Sequence, residues 1–281
     1  KLGKEEDYKY FLNRSLAYQN LIDPESGFMR GRDSHGEWRT PFDAVAYTGP
    51  GSVHGWGDIT EGFTYQYTWY VPQDVQGYIN EMGGNEIFAQ RLDSMFTMEL
   101  PDDIPGAHDI QGRIGAYWHG NEPCHQILYL YNYVKQPWKG QEKIRYVLDT
   151  FYGNKPDALS GNDDCGQMSA WYIFSALGFY PVCPGTDQYL FGTPYFPYME
   201  ISLPHSKTLI IKAEKASAEY RYIKEIRLNG QPLHRAYITH EELLQGGTLE
   251  FLMSKKPAKE RIFTAKEKPY SLSTLFIYQT D

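Results

Sequence analysis

Near residue 190 the spacing of apolar residues changes from helical to alternating, and this change restricts the chain to an α+β or two-domain plan. Before it, Phe88, Leu92, Met95 and Phe96 recur at helical spacing in NEIFAQRLDSMFTME. TYQYTWYVPQDVQGYINEMGG, CHQILYLYNYV, WKGQEKIRYVLDTFY and DCGQMSAWYIFSALG read as further helices between loops carrying Gly, Pro and Asn. The first helix reads as amphipathic, with Tyr8, Phe11, Leu12, Tyr18 and Ile22 near one face. After the change, MEISL, TLIIKA, EYRYIKEIRLNGQPL, AYIT and TLEFLMS read as strands, with Asn229-Gly230 as a hairpin turn. THEELLQGG interrupts them as one short helix, started by a Thr239/Glu242 capping box and stopped by Gly246-Gly247. The expected division is a helical portion over residues 1–192 and a β portion over 193–281.

The length of 281 residues is enough for a sizeable core in one large or two moderate domains. A formal net charge of -8, with no Lys/Arg block to follow a phosphate backbone, argues against nucleic acid as a partner. No run of about 18 apolar residues reads as a membrane span. The 24 Tyr and 6 Trp supply flat amphipathic rings that suit either a packed core or the apolar faces of sugars. Cys124, Cys165 and Cys183 are too few for a disulfide framework and lack metal-site spacing, so they read as small buried hydrophobes, with one bridged pair left open. The opening KLGKEEDYKY has neither initiator Met nor signal-peptide pattern and reads as cut from a longer protein.

Three stretches carry candidate chemistry. In LSGNDDCGQMSAWY, Asp164 with Gln167 three residues on matches a capping box, Asp163 is a weaker alternative, and the second carboxylate is surplus to a cap. The helix that follows is expected to bury Met168, Trp171, Tyr172 and Ser175. In GNEPCHQILYLYNY, Asn121 and Pro123 suit a helix start, while Asn121, Glu122 and Gln126 also supply the oxygen donors a hard cation takes. In TEGFTYQYTWYVPQDV, Thr60 or Glu61 suits a cap. A Glu61 carboxyl among Phe63, Tyr65, Tyr67 and Trp69 would also have the partly apolar setting that a general acid needs. An acid, a separate carboxylate pair and oxygen ligands fit glycoside hydrolysis, and no nucleophile elbow, phosphate loop or dinucleotide fingerprint competes. A long loop, FMRGRDSHGEWRTPFDAVAYTGPGSVHGWGDITEG, is a further place for binding residues.

EGFTYQYTWYVPQDV, GNEPCHQILYLYNY, QPWKGQEKIRYVLDTFY, GNDDCGQMSAWYIFSALGFYPVCPG and YLFGTPYFPYMEISL together closely resemble glycoside hydrolase family 92, the calcium-dependent exo-acting α-mannosidases. The resemblance runs, with gaps, from about Leu2 to the end of the chain. It implies the later helices of an (α/α)6 catalytic barrel followed by a β-sandwich-like segment, with an N-terminal β-sandwich and the early barrel helices belonging to the rest of a parent protein. It also implies an inverting mechanism with Glu61 as general acid and Asp164 as base, assisted by Asp163 or Asn162. Calcium would be held by Glu122, Gln126 and Asn121, and mannose contacted by Asn121, His125 and Trp69. The implied substrate is a mannose-containing oligosaccharide, with α-1,2 linkages in N-glycans or mannans placed first. The implied location is the periplasm, surface or surroundings of a bacterium. A non-catalytic mannose-binding or structural fragment, or a different inverting (α/α)6 glycosidase, are the readings it competes with.

Overall fold

The computed structural model describes residues 2–48, 57–101, 104, 111–259 and 263–277. Residues 49–56 of the long loop lie outside that set. The chain is α+β and separates into two compact units. The first comprises Lys1–His108, Ile114–Tyr117 and Ser271–Asp281; the second comprises Asp109–Arg113 and Trp118–Tyr270. None of the boundaries between them falls at residue 192, and the change of period lies inside the second unit.

The first unit holds α1 (Glu5–Arg14), α2 (Thr64–Tyr67), α3 (Val75–Glu81) and α4 (Asn85–Thr97), and it ends in α8 (Leu272–Ile277). Its core includes Phe63, Trp69, Tyr78, Phe88 and Leu92. Two expectations change here. The amphipathic α1 buries none of its residues, and Tyr8 and Phe11 are exposed. The single helix expected after residue 63 is two, because Pro72 interrupts it and Asp74 starts the next one by accepting from Gly77 N–H at 3.2 Å.

Asp74 does more than cap. Its fully buried carboxylate also accepts from the Ser271 hydroxyl (2.6 Å), Ser273 N–H (2.8 Å), the Ser273 hydroxyl (2.6 Å) and the Tyr18 hydroxyl (3.0 Å). Leu272 N–H donates to the Gln73 carbonyl at 3.0 Å beside it. One carboxylate thus ties α3 to segments 56 residues upstream and 199 residues downstream.

A second buried carboxylate in this unit makes stability depend on pH. Burial alone would raise the pKa of Asp23, but the Ser26 hydroxyl, the Arg30 guanidinium at 3.0 Å and the Glu25 N–H together hold it below the ordinary carboxylate value. A depressed folded-state pKa contributes stability that is present above the unfolded value near 4 and is lost as pH falls through the folded value. The melting temperature is therefore expected to fall from about pH 4 downward, and Asp23→Asn to flatten that fall while lowering stability at pH 7. Identical acid limbs for both proteins in thermal melts would exclude Asp23 as a source.

The second unit begins with loops and 3-10 turns, then α5 (Pro137–Thr150) and α6 (Gln167–Leu177). Two-residue strands β1 (Arg113–Ile114) and β2 (Tyr117–Trp118) precede them in the chain. Strands β3 (Phe179–Tyr180), β4 (Gln188–Phe191) and β9 (Tyr237–Thr239) form one antiparallel sheet. The larger sheet has the order β5-β6-β10-β7-β8, from β5 (Tyr198–Leu203), β6 (Lys207–Lys212), β7 (Tyr222–Leu228), β8 (Gln231–Pro232) and β10 (Gly247–Ser254). Only β6 and β10 pair in parallel there, with α7 (His240–Gln245) leading into β10. Leu209 and Ile211, Leu249 and Phe251, and Ile223 and Ile226 on either side of a register shift, join one apolar core with Phe179, Phe191 and Ile238. The β7-β8 turn is Asn229-Gly230, both at positive φ (50° and 79°), as a two-residue hairpin with right-handed twist requires. The Thr239/Glu242 capping box forms at the start of α7.

The expected helix over CHQILYLYNYV is instead two 3-10 turns, Glu122–Cys124 and Ile127–Asn132. The second is buried on every side, so no amphipathic stripe sets an α-helical register. Gly140 of α5 is seated so closely that a Cβ there would overlap the Leu128 carbonyl. Asn121 takes the N-cap position but makes no side-chain capping bond; its carbonyl accepts from Cys124 N–H at 2.9 Å. All three cysteines are free, so none is bridged, and Cys165 is exposed while Cys124 and Cys183 are buried.

Candidate active site

The carboxylate turn is built by a backbone reversal. Cys165 (φ 57°, ψ 22°) and Gly166 (φ 83°, ψ 13°) are left-handed, so the 3-10 turn Asp164–Gly166 stands off the axis of α6, which starts at Gln167. Asp163, not Asp164, is the residue that holds the helix start. Its Oδ1 accepts from Ser169 N–H and its Oδ2 from the Ser169 hydroxyl, both at 2.8 Å. Its carbonyl accepts from Gly166 N–H (2.7 Å) and Gln167 N–H (2.9 Å). The expected capping box on Asp164 and Gln167 does not form: the left-handed Gly166 takes the N-cap position of α6, which has no side-chain capping bond. Asp164 is exposed, and its carboxylate makes no hydrogen bond or ion pair among the described residues. α6 then buries Met168, Trp171 and Ser175, while Tyr172 is only half-buried.

A cavity of about 570 Å³ is lined by Ser169, Tyr172 and Ile173 of α6. Tyr152, Tyr172, Tyr195 and Phe196 form its walls together with Asn154 and the same Ser169 that holds Asp163.

The 121–126 segment lies in the same unit. Asn121, His125 and Gln126 are buried and Glu122 is half-buried. His125 is 1% exposed; its Nε2 meets the His119 carbonyl at 2.9 Å and its Nδ1 meets Gln167 Nε2 at 3.2 Å. Burial pulls its pKa down to about 4, against the opposing pull of the His119 carbonyl, so the ring is neutral at neutral pH. His119 is likewise held well below the ordinary histidine value, by burial first and by neighbouring His125 second. Tyr152 donates to the Met168 carbonyl at 3.0 Å, so it accepts from His119 Nε2 at 2.7 Å. Trp171 closes the cluster, its ring 4.3 Å from that of His119 and its Nε1 donating to the His125 carbonyl at 3.0 Å. Both ring nitrogens of His125 are thus engaged by the protein itself.

Gln126 is different. It is 4% exposed, and its side-chain Nε2 meets no hydrogen-bond partner among the described residues. A buried unsatisfied amide is costly unless a ligand or ion completes it. Turned over, the same amide offers its oxygen, the donor type Ca²⁺ takes, beside the Glu122 and Asn121 oxygens in sequence. No cluster of three or more His, Cys, Asp or Glu residues suited to a metal occurs among the described residues.

Glu61 and Trp69 belong to the first unit. Glu61 is half-buried and directly precedes Gly62 (φ 107°), whose backbone pairs with Thr48 through bonds of 2.9 and 3.1 Å. Neither Thr60 nor Glu61 caps the next helix. Phe63 is its N-cap residue, and the Gln66 side chain turns back to accept from Phe63 N–H at 3.0 Å. Trp69 is 2% exposed and packs edge-on to Phe88 with ring centroids 5.2 Å apart.

Residues 1–255 match the model of the glycosyl hydrolase family 92 catalytic domain. The chain belongs to this family. Among solved structures, family 92 α-mannosidase BT3965 from Bacteroides thetaiotaomicron, in complex with mannoimidazole, is 61% identical with a TM-score of 0.92. That alignment covers 96% of this chain and 35% of the relative. The inverting mannosidase BT2199 from the same organism is 38% identical with a TM-score of 0.83, over 97% of this chain and 37% of its own. A curated relative described as an uncharacterized secreted glycosidase, from Arthroderma benhamiae, is 28% identical over 91% of this chain and 33% of its own length. The family 92 chain therefore spans about a third of the length of these relatives. No helix among its described residues is long and apolar enough to cross a membrane.

Sequence reasoning passed over Gln167 except as a capping partner, and it passed over Ser169 altogether. Their signal is positional: both lie in the first turn after a carboxylate pair.

Proposed function

We propose that this chain is the C-terminal part of a calcium-dependent, inverting exo-α-mannosidase, contributing later helices of an (α/α)6 barrel and the β segment after it. The observation that carries the reading is the carboxylate turn. Asp163 is pinned by Ser169, while the adjacent Asp164 is displayed to solvent with no protein partner, the arrangement a base needs in order to hold a water. The mannoimidazole complex of a relative 61% identical to this chain supports mannose as the sugar.

In this reading Glu61 protonates the leaving oxygen and Asp164 takes a proton from water approaching the opposite face of the ring. Asp163 or Asn162 assists in holding that water. Glu122, Gln126 and Asn121 would hold calcium, which supplies positive charge that orients and polarises sugar hydroxyls. His125, with both nitrogens engaged, positions this segment, and Asn121 contacts sugar as well as metal. Trp69, buried against Phe88, is assigned to packing and not to stacking on sugar. We place α-1,2-linked mannose of N-glycans or mannans first among substrates. The location would be outside the cytoplasm of a bacterium, in the periplasm, at the surface or secreted; the description of the Arthroderma relative as secreted supports an extracytoplasmic site.

The test is mannose release by the full-length parent from α-1,2-, α-1,3-, α-1,4- and α-1,6-linked mannobioses, with calcium and then with EGTA. The expected result is release abolished by EGTA, with β-mannose as the first anomer seen by NMR. Release indifferent to EGTA would remove calcium from the proposal, and α-mannose first would remove inversion. An inert parent across all four linkages would end the mannosidase reading.

A further inference from the structure

The hydrogen bonds between the 121–126 segment and the start of α6 have one chemical solution. A backbone carbonyl can only accept, so the His119 carbonyl at 2.9 Å requires the proton of His125 to be on Nε2. The ring is buried, has no carboxylate partner among the described residues, and has the Gln167 side-chain nitrogen beside Nδ1. Nδ1 is therefore a lone-pair acceptor. The Gln167 amide atom 3.2 Å from it must be the nitrogen, although amide orientation is ordinarily ambiguous. That nitrogen gives its other hydrogen to the Tyr180 hydroxyl at 3.0 Å. Both Gln167 hydrogens are then assigned: the His119 carbonyl sets the His125 tautomer, and Gln167 donates to the nitrogen left free.

We propose that Gln167 is a positioning residue that orients the His125 ring by donating to Nδ1 of its Nε2–H tautomer, and so ties the Asn121, Glu122 and Gln126 segment to the start of α6, the helix that follows the Asp163-Asp164 turn. Two grips from α6 hold His125, Gln167 on the ring and Trp171 on the backbone carbonyl. Gln167 follows the left-handed pair Cys165-Gly166 immediately, as the first residue of α6. The effect on turnover rests on the function proposed above; the tautomer does not.

Two substitutions separate positioning from bulk. Gln167→Leu keeps volume and removes the donor. Gln167→Glu keeps shape but sets a carboxylate oxygen against the Nδ1 lone pair, which drives a proton onto Nδ1 or turns the ring. In this chain labelled with ¹⁵N-histidine, wild-type His125 is expected to show a protonated Nε2 and an unprotonated Nδ1, and Gln167→Glu to show Nδ1 protonated. In the full-length parent, both variants are expected to lower kcat/KM for the preferred mannobiose about 10–100-fold, the usual cost of removing a partner that orients a ligand. Melting temperature should stay within a few degrees of wild type. An Nδ1–H tautomer or an imidazolium in the wild type overturns the proposal, as does a Gln167→Leu enzyme with full kcat/KM. A parent that hydrolyses no α-mannoside overturns the proposed function instead, and the ring spectrum then decides the Gln167 assignment alone.

Discussion

Replacing Asp164 with Ala in the full-length parent is expected to lower kcat for an α-mannobiose about a thousandfold, the scale on which a positioned general base contributes. Stability should stay within about 0.5 kcal/mol of wild type, because an exposed side chain with no partner leaves nothing unsatisfied when it is removed. Azide needs no deprotonation before it attacks. It should restore turnover of Asp164→Ala and leave β-mannosyl azide, the product of attack on the face opposite the leaving group. Asp163→Ala makes the contrast. It strips acceptors from Ser169 N–H and Ser169 hydroxyl at the start of α6, so it should cost about 1–2 kcal/mol of stability as well as activity. Glu61→Gln should slow mannobiose hydrolysis while sparing substrates whose leaving group departs without a proton. If Asp164→Ala retains wild-type kcat and Asp163→Ala loses it without loss of stability, the base is Asp163 and the two roles are exchanged.

The assignment between the two aspartates shows what the sequence could and could not carry. Spacing alone favoured Asp164 as the cap, since Gln167 lies three residues on. In the structure Cys165 is in a left-handed conformation, which few non-glycine residues adopt and which no local pattern announces, and the left-handed Gly166 takes the N-cap position. Local chemistry was legible where it was also sufficient. Asn229-Gly230 makes its turn and Thr239 with Glu242 makes its capping box because each motif satisfies its own backbone. The 121–132 segment was not legible, because burial on every side and the close approach of Gly140 are tertiary facts that override helical spacing. The same holds for His125. Its sequence position suggests a ligand, yet both its nitrogens are taken by groups 6 and 42 residues away, which only the fold brings together.

Asp74→Ala is expected to be the most destabilising single change in the first unit, at about 4 kcal/mol or more. The carboxylate is fully buried and satisfies two backbone N–H groups and three hydroxyls, and hydrogen bonds to a charged acceptor are the strong ones. The hydroxyls of Tyr18, Ser271 and Ser273 can turn toward other acceptors. The N–H groups of Gly77 and Ser273 cannot, so most of the loss arises from these two amides left unpaired in the interior. Asp74→Asn keeps one acceptor oxygen but turns an NH₂ toward donors, so it should fall between wild type and Ala. Gly77→Ala should reproduce much of the loss with Asp74 still in place, because its Cβ would overlap Asp74 Oδ2 and the Ser273 hydroxyl and force them apart. Hydrogen exchange reads the mechanism directly: in Asp74→Ala the Ser273 and Leu272 amides should lose protection before those of β7 and β10. Urea unfolding that places Asp74→Ala within 1 kcal/mol of wild type, with Ser273 still protected, would mean that the C-terminal segment is held by packing and that the carboxylate only caps α3.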